Sequence, residues 1–472
     1  MNDNQYSQVD LIREVFHYQS RFDGSIMVFK IDYPVTEAPG FPGLVKDLAL
    51  LAKTGFKVII VPGVKENIDA VLKQHDIYAS YAVTQDFPVR VTTSQTIKYV
   101  EMAAFNVSSR FMTFLSGSRI EALIGNFVRA RGLGVIDGVD TEHTGTVDKI
   151  YASSLNRVLN LGMVPILPCI GWSPSGKPYN VPTDEIALAV SSALGADKFF
   201  IVSVHDGMHS DVFSMPDNIE KRADGSILRL TPQQTEAIIS SNDKLPDFNN
   251  LGEIDTVLFL QYLRELKLGL KASQAGVSRV HIIDGREEGS VLKELFSNLG
   301  VGTMIYTDEY DSIRAFHSRD LPDILRLMEP LMQKGILVRR SAEQIQEKKD
   351  DYAVLEIDGS IRACGALHDW GKTPGATPGS TPSDVSGGKQ GEIAAIATDP
   401  QYSDLGLGRR IVGYLIEKAR KCGMRRVFAL TTQTHDWFES LGFKETSVNS
   451  LPEKKQKKYN QNRKSKIFAL EL

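Results

Sequence analysis

Over its first two thirds the chain alternates apolar runs with amphipathic stretches. Leu44, Leu48, Leu51 and Ala52 recur at helical spacing before Gly55, and FKVIIVPG from Phe56 then forms an unbroken apolar run. Such a run predicts a strand buried on both faces, and the stretch before it predicts a covering helix. The alternation returns at MVPILPCIG from Met163, KFFIVSV from Lys198 and RVHIIDG from Arg279. Repeated βαβ units predict a doubly wound α/β domain on a mostly parallel sheet, over residues 1–311.

From residue 312 the texture changes. A short strand is followed by a helix carrying Ile324, Leu325, Leu327, Met328 and Leu331, and YAVLEIDGSIRACGALHDW from Tyr352 reads as a hairpin turning at Asp358-Gly359. EIAAIAT from Glu392 is a strand, and RRIVGYLIEKARKCG is a helix with Ile411, Val412, Leu415, Ile416 and Ala419 on one face. Hairpin-paired strands with helices predict an α+β domain over 312–472. Residues 371–390, GKTPGATPGSTPSDVSGGKQ, have almost nothing apolar to bury and predict a flexible low-complexity loop.

Composition narrows the class. Hydrophobic residues are 42% and charged residues 24% of 472, with a net charge of -4, which describes a soluble globular protein. That balance gives no electrostatic reason to expect nucleic acid or membrane as a partner. No apolar run approaches the ~20 residues of a spanning helix, and the start of the chain lacks the basic and apolar regions of a signal peptide. Cys169, Cys364 and Cys422 are far apart and form no C-x-x-C pair, which suits a reducing compartment and argues against a disulfide or zinc framework. A cytoplasmic enzyme is expected. His205 and His209, with Asp206 and Asp211 nearby, mimic metal-ligand spacing, but Gly207 breaks any helix that would align the rings. No metal is expected.

The chemistry concentrates in GEIAAIATDPQYSDLGLGRR from Gly391. A strand ends at Asp399-Pro400, a loop carries Gly406 and Gly408, and a helix starts at once. Free N–H groups of such a loop and first helical turn converge on one point and suit a pyrophosphate. Taken alone, the glycine pair fits a plain strand–helix turn equally.

The whole pattern, D-P-x-Y and then x-x-G-x-G before an amphipathic helix, resembles the acyl-CoA core of the GNAT N-acetyltransferases, with Ser403 where that family has Arg or Gln. Four ordered blocks, ILVRRSAEQ from Ile336, GEIAAIAT, FALTTQTHDWFESLGF from Phe428 and LPEKKQKKYNQNRKSK from Leu451, resemble the bacterial N-acetylglutamate synthase family. NFVRARGLGVIDGVDTEHTGTV from Asn126, SPSGKPYNV from Ser173 and RVHIIDGREEGSVLKELFSNLGVGTMI resemble the amino-acid-kinase-like domain fused to it.

The resemblance implies transfer of acetyl from acetyl-CoA to the α-amine of L-glutamate, the first step of arginine biosynthesis. It implies Glu392 as base and Thr431, a position where relatives often have Ser, as hydroxyl donor to the departing thiolate. Arg340, Arg463 and Ser465 would bind glutamate. Acetyl-CoA would lie on Ile396, Thr398, Ser403, Asp404, Leu405, Gly406, Leu407 and Gly408. Glu294, Phe296, Gly300, Gly302 and Thr303 match the segment that binds feedback-inhibitory L-arginine, and the N-terminal helix with Val9, Ile12 and Phe16 matches one that builds a hexameric ring. The first domain would be dead as a kinase. Lys30 survives, but Asp32 and Tyr33 replace a glycine pair and Val64-Lys65 interrupt the second phosphate cradle.

Two other readings compete: acetyl transfer to another amine such as a protein lysine, and a non-catalytic arginine sensor. The guanidinium pair opposes the first, because a protein acceptor does not need two carboxylate forks. Retention of Glu392 and the glycine loop opposes the second. The basic run from Lys454 to Lys466 is read as a solvated face, with some lysines meeting the 3′-phosphate of CoA.

Overall fold

The computed structural model describes the chain apart from residues 1–15, 17–18, 20–21, 84–87, 217–218, 243–252, 297–299, 308–310, 358, 373–387, 401 and 403–405. It divides into two compact units, Met1–Asp308 and Glu309–Leu472.

In the first unit eight strands form one sheet, in the order Arg229–Leu230, Thr303–Tyr306, Arg279–Asp284, Lys198–Ser203, Ile26–Ile31, Lys57–Pro62, Val164–Ile166 and Ala122–Ile124. Pairing is parallel except between Arg279–Asp284 and Thr303–Tyr306. Alternate residues feed two separate cores: Phe29, Ile60, Phe200 and Val202 one side, Val28, Ile59, Phe199 and Ile201 the other. A two-residue side-chain period with apolar cover on both faces produces this division, and it explains why the strands read as unbroken apolar runs. Leu44, Leu48 and Leu51 are buried on the helix Phe41–Lys53, as their spacing predicts. Of the N-terminal helix only Phe16, Gln19 and Phe22 are described; Phe16 is helical and 65% exposed, while Val9 and Ile12 lie outside the described residues.

The second unit is a seven-stranded sheet, ordered Asp311–Ala315, Tyr352–Ile357, Ser360–Lys372, Lys389–Thr398, Met424–Thr431, Lys466–Glu471 and Lys444–Thr446. The hairpin turns as expected, with Ile357 paired to Ser360. The low-complexity segment is shorter than the sequence suggests, because Lys372 and Lys389 pair across its mouth; 373–387 lie outside the described residues. Helix Leu321–Gln333 packs its Ile324, Leu327, Met328 and Met332 against Cys364, Ala395 and Ala397. The next residue, Gly365, faces Ile411 and Leu415 of helix Leu407–Lys421. Adjacent strand residues point to opposite faces, so each helix covers its own side. Among the described residues no helix is long and apolar enough to cross a membrane.

Every pairing in this sheet is antiparallel except one. Lys389–Thr398 runs parallel to Met424–Thr431, and that pairing ends at Glu392 opposite Phe428. Beyond it the central strand bends: Ala395 has φ +55° and the register with Ser360–Lys372 shifts between Cys364 and Ala366. A left-handed residue at a bulge re-aims a strand at a cost of about 1–2 kcal/mol, here set against full packing of the Ala395 methyl. The sheet therefore splits between its fourth and fifth strands.

Gly391 sits at the apex of the split. A Cβ there would stand 2.5 Å from Met424 Sδ and 2.8 Å from Leu367 Cδ1, so only glycine lets the neighbouring side chains close beside Glu392. Gly391→Ala is expected to destabilise this unit by about 1–3 kcal/mol through overpacking. A lowered urea midpoint checks this; an unchanged midpoint would mean that the neighbours yield freely.

Candidate functional site

Glu392 lies where the sheet opens, and both carboxylate oxygens have partners. Trp370 Nε1–H donates to Oε2 at 2.9 Å, and Lys455 Nζ lies 2.5 Å from Oε1. The side chain is only 8% exposed. Neither partner was singled out from the sequence. Trp370 is two residues past His368, which pairs with Glu392 across the sheet, and Lys455 is hidden among many lysines. Its position corrects the reading of the basic run as a plain solvated face.

Thr431 ends the strand on the other side of the split. Its Oγ1 accepts N–H bonds from Gln433 at 3.3 Å and Thr434 at 3.1 Å and lies 2.7 Å from Thr434 Oγ1. With two N–H groups bound, the Thr431 hydroxyl is oriented to donate. Thr434 is then its resting acceptor, a residue the sequence reading missed.

Arg340 and Arg463 are drawn to one segment. Arg463 Nη2 donates to the carbonyls of Gly335, at 3.0 Å, and Ile336, while Arg340 Nη1 lies 3.3 Å from the Val338 carbonyl. Burial and then the charge of Arg340 hold Arg463 below its ordinary pKa. Among the described residues neither guanidinium pairs with a carboxylate. Two mutually repelling forks of this kind form a receptor for an anion. Ser465 is buried, two residues beyond Arg463, and its carbonyl accepts the Tyr459 hydroxyl at 2.7 Å.

Ile396 and Thr398 lie on the central strand past its last pairing with Met424–Thr431, where one edge faces the split. Ser403, Asp404 and Leu405 lie outside the described residues. Gly406, with φ +58°, is the N-cap of helix Leu407–Lys421, a left-handed geometry that glycine adopts without a steric penalty. Gly408 faces Trp437, which would stand 3.1 Å from an added Cβ. The open first turn, with no acidic residue in it, offers free N–H groups and a positive dipole end to a pyrophosphate. These residues fit an acyl-CoA.

In the first unit, Lys30 is buried between Asp32 Oδ1 at 2.5 Å and Asp184 Oδ1 at 3.2 Å, and Arg264 Nη2 holds Asp184 Oδ2 at 2.6 Å. Burial opposes the ammonium, but Asp184 and Asp32 outweigh it and keep Lys30 above its ordinary pKa. Tyr33, hydrogen-bonded by Asn67 at 3.1 Å, occupies space where a cradle would need bare backbone. His205 Nε2 lies 3.2 Å from Glu265 and His209 Nε2 3.2 Å from Asp206. Among the described residues no group of three or more His, Cys, Asp or Glu is arranged to hold a metal.

The five residues that the resemblance assigns to an effector site lie at the end of helix Ser290–Phe296 and the start of strand Thr303–Tyr306, and Glu294 is not an open carboxylate. It accepts the N–H groups of Val301 at 2.8 Å and Gly302 at 3.0 Å and meets His281 Nδ1 at 2.7 Å. Thr303 Oγ1 accepts the Met208 N–H at 2.7 Å and donates to the Ile227 carbonyl, Gly300 has φ +68°, and Phe296 is half-buried. His281 is the member of this cluster that sequence reasoning passed over.

A seven-stranded sheet split beside a glycine-capped helix, with a carboxylate at the apex, defines a GNAT-type acetyltransferase, and the doubly wound unit before it is of the amino-acid-kinase type. The chain matches the amino acid kinase family over residues 32–220 and the GNAT acetyltransferase family over 321–443. It is 31% identical to an amino-acid acetyltransferase of Shigella flexneri and 30% to that of Escherichia coli K12, covering 98% of each chain. Among solved structures it is similar to N-acetylglutamate synthase from Neisseria gonorrhoeae complexed with coenzyme A and L-arginine, at TM-score 0.75, 30% identity and 99% coverage of both chains. The same enzyme complexed with coenzyme A and N-acetyl-glutamate matches at TM-score 0.56, 31% identity and 99% coverage of both chains. The chain belongs to the bacterial N-acetylglutamate synthase family. It is an amino-acid N-acetyltransferase, and acetyl-CoA is its co-substrate.

The buried His281–Glu294 pair carries a pH signature. Burial, only partly opposed by Glu294, holds His281 below its ordinary value; burial raises Glu294, but His281 and the two N–H groups outweigh it and bring it below its own. Both groups bind protons more readily unfolded than folded, so this pair's stabilisation is fully present at pH 7 and is lost as pH falls below the ordinary histidine value of about 6.5, and then below the ordinary glutamate value of about 4.5, toward the lower folded values. His281→Gln keeps a donor to Glu294 and removes one titration. Urea unfolding at pH 7 and 5 should show a smaller loss of stability in the variant than in the parent; an equal loss would place the pH dependence elsewhere.

Proposed function

We propose that the chain acetylates the α-amine of L-glutamate, using Glu392 as base, and that L-arginine inhibits it through the first unit. The observation that carries the acceptor is the Arg340 and Arg463 pair, two guanidiniums without carboxylate partners among the described residues, the second of them two residues before the buried Ser465. A substrate with a distal carboxylate supplies what they lack. The glutamate ammonium gives a proton to Glu392 and the freed amine adds to the thioester carbonyl; the adduct then collapses with loss of the C–S bond, its second nitrogen proton passing to the departing CoA thiolate. The Thr431 hydroxyl donates to the departing thiolate. Backbone at Ile396, Thr398, Gly406, Leu407 and Gly408 holds the acetyl and pyrophosphate groups. The gonococcal relative, described with coenzyme A together with N-acetyl-glutamate or L-arginine, supports both halves of this reading.

In the first unit we read the Lys30 cluster as a replacement for phosphate chemistry, since its cation is already neutralised by Asp32 and Asp184. The arginine site is read at Glu294, Phe296, Gly300, Gly302 and Thr303, with the guanidinium exchanging for His281 or a backbone N–H at the Glu294 carboxylate. A cytoplasmic homo-oligomer, in the ring arrangement the family resemblance implies, completes the reading.

Release of CoA from acetyl-CoA should depend on L-glutamate and fall on adding L-arginine. Glu392→Gln should lower kcat by about 10²–10⁴-fold with acetyl-CoA binding retained, the range expected for a lost general base. Glutamate-independent release would identify another acceptor, and an unchanged kcat would remove Glu392 as base.

A further inference from the structure

The contact between Glu392 and Lys455 holds more information than a base needs. Lys455 comes from the short helix Glu453–Gln456, and its side chain is 16% exposed. Its Nζ stands 5.1 Å from the Trp370 ring centroid while reaching Glu392 Oε1 at 2.5 Å, and the Trp370 ring also donates to Oε2. One anion and one cation, largely shielded from water, therefore face each other at the split in the sheet. An α-amino acid is the mirror of that arrangement, with an ammonium and a carboxylate on a single carbon.

We propose that Lys455 is a specificity-determining residue that selects α-amino acids: the Glu392–Lys455 pair opens to admit the acceptor's zwitterion, Glu392 taking the α-ammonium and Lys455 the α-carboxylate, while Arg340 and Arg463 hold the distal carboxylate. This rests on the reading of Glu392 as base. Exchange of partners keeps the charge balanced, because each group leaves one opposite charge for another. The four-carbon lysine stem allows the swing, and the Trp370 face holds the ammonium during it. A simple amine, such as a protein lysine, would take Glu392 and leave Lys455 unpaired and poorly solvated, which is costly. The pair therefore rejects acceptors that lack an α-carboxylate, a task that Arg340 and Arg463 cannot perform if they hold the far end.

The test compares three acceptors, L-glutamate, its α-amide L-isoglutamine and its distal amide L-glutamine, in the full-length parent, Lys455→Met and Lys455→Arg. A site that pairs a charged group rejects the analogue lacking it strongly, so the parent should favour L-glutamate over the α-amide by about 100-fold or more in kcat/KM. Lys455→Met should cut that ratio about tenfold or more through the KM for L-glutamate, with the KM for acetyl-CoA and the preference over L-glutamine unchanged. Lys455→Arg should restore most of the ratio. A parent that accepts the α-amide as well as L-glutamate, or a Lys455→Met protein with the parental ratio, would overturn the assignment. Glu392→Gln, assayed alongside, separates the two readings: turnover retained in that variant defeats the base, whereas the Lys455 ratio is measured in proteins that keep Glu392.

Discussion

The constraint on which the transferase unit depends is a parallel pairing that stops. In an otherwise antiparallel sheet, Lys389–Thr398 and Met424–Thr431 run side by side only as far as Glu392 and Phe428. Past that point the left-handed Ala395 bends one strand away. A closed sheet would pair those backbone groups with each other and leave a thioester nothing to bind. The split turns strand edges into ligand-binding edges, and it puts the last paired residue, a carboxylate, at the point where the two strands part. The glycine-capped helix Leu407–Lys421 then continues from the same strand. One geometric event thus provides a slot, a carboxylate at its mouth and, in the proposed reading, the base and the anion site.

Charge completes what geometry begins. Burying an anion is unfavourable unless it is paired, and Glu392 is paired by Lys455 and Trp370. Arg340 and Arg463 show the opposite condition, two cations held by backbone carbonyls and repelling one another. In the proposed reading the Glu392–Lys455 pair opens only to a zwitterion. The arginine pair has no carboxylate among the described residues. An amino acid with an acidic side chain answers both requirements, and neither a monoamine nor a dicarboxylic acid without nitrogen does.

The architecture was legible in the sequence because its signals are local. Unbroken runs such as KFFIVSV announce a doubly covered strand, and the apolar face of RRIVGYLIEKARKCG announces a helix on a sheet. Glu392 and Gly406 were legible because a motif spans them continuously. Lys455, Trp370 and His281 were not, since each acts on a residue brought near only by folding: Lys455 lies 63 positions from Glu392, Trp370 22 positions away, and His281 13 positions from Glu294. Thr434 is local to Thr431, but it belongs to a turn that no periodicity marks. A lysine among lysines has no pattern of its own. The segment around Glu294 shows the same limit from the other side. The resemblance marks its residues, but that Glu294 is already engaged by His281, Val301 and Gly302 depends on how a helix end meets a strand.

That engagement bears on what an arginine site in this unit requires. A guanidinium that simply filled a vacant carboxylate would gain an ion pair without altering the protein around it. At Glu294 it must instead compete with bonds that fix the loop before Thr303–Tyr306, so binding and rearrangement of that loop become one event. A ligand shifts an equilibrium only by its differential affinity for the two arrangements. Here the differential would be built in, because one oxygen of the carboxylate that would receive the ligand holds the resting loop and the other holds His281. The same logic holds at Glu392 and Lys455. In both units the resting protein engages the carboxylate proposed to meet a ligand with a cationic or N–H partner of its own, so a ligand that binds there must replace those interactions.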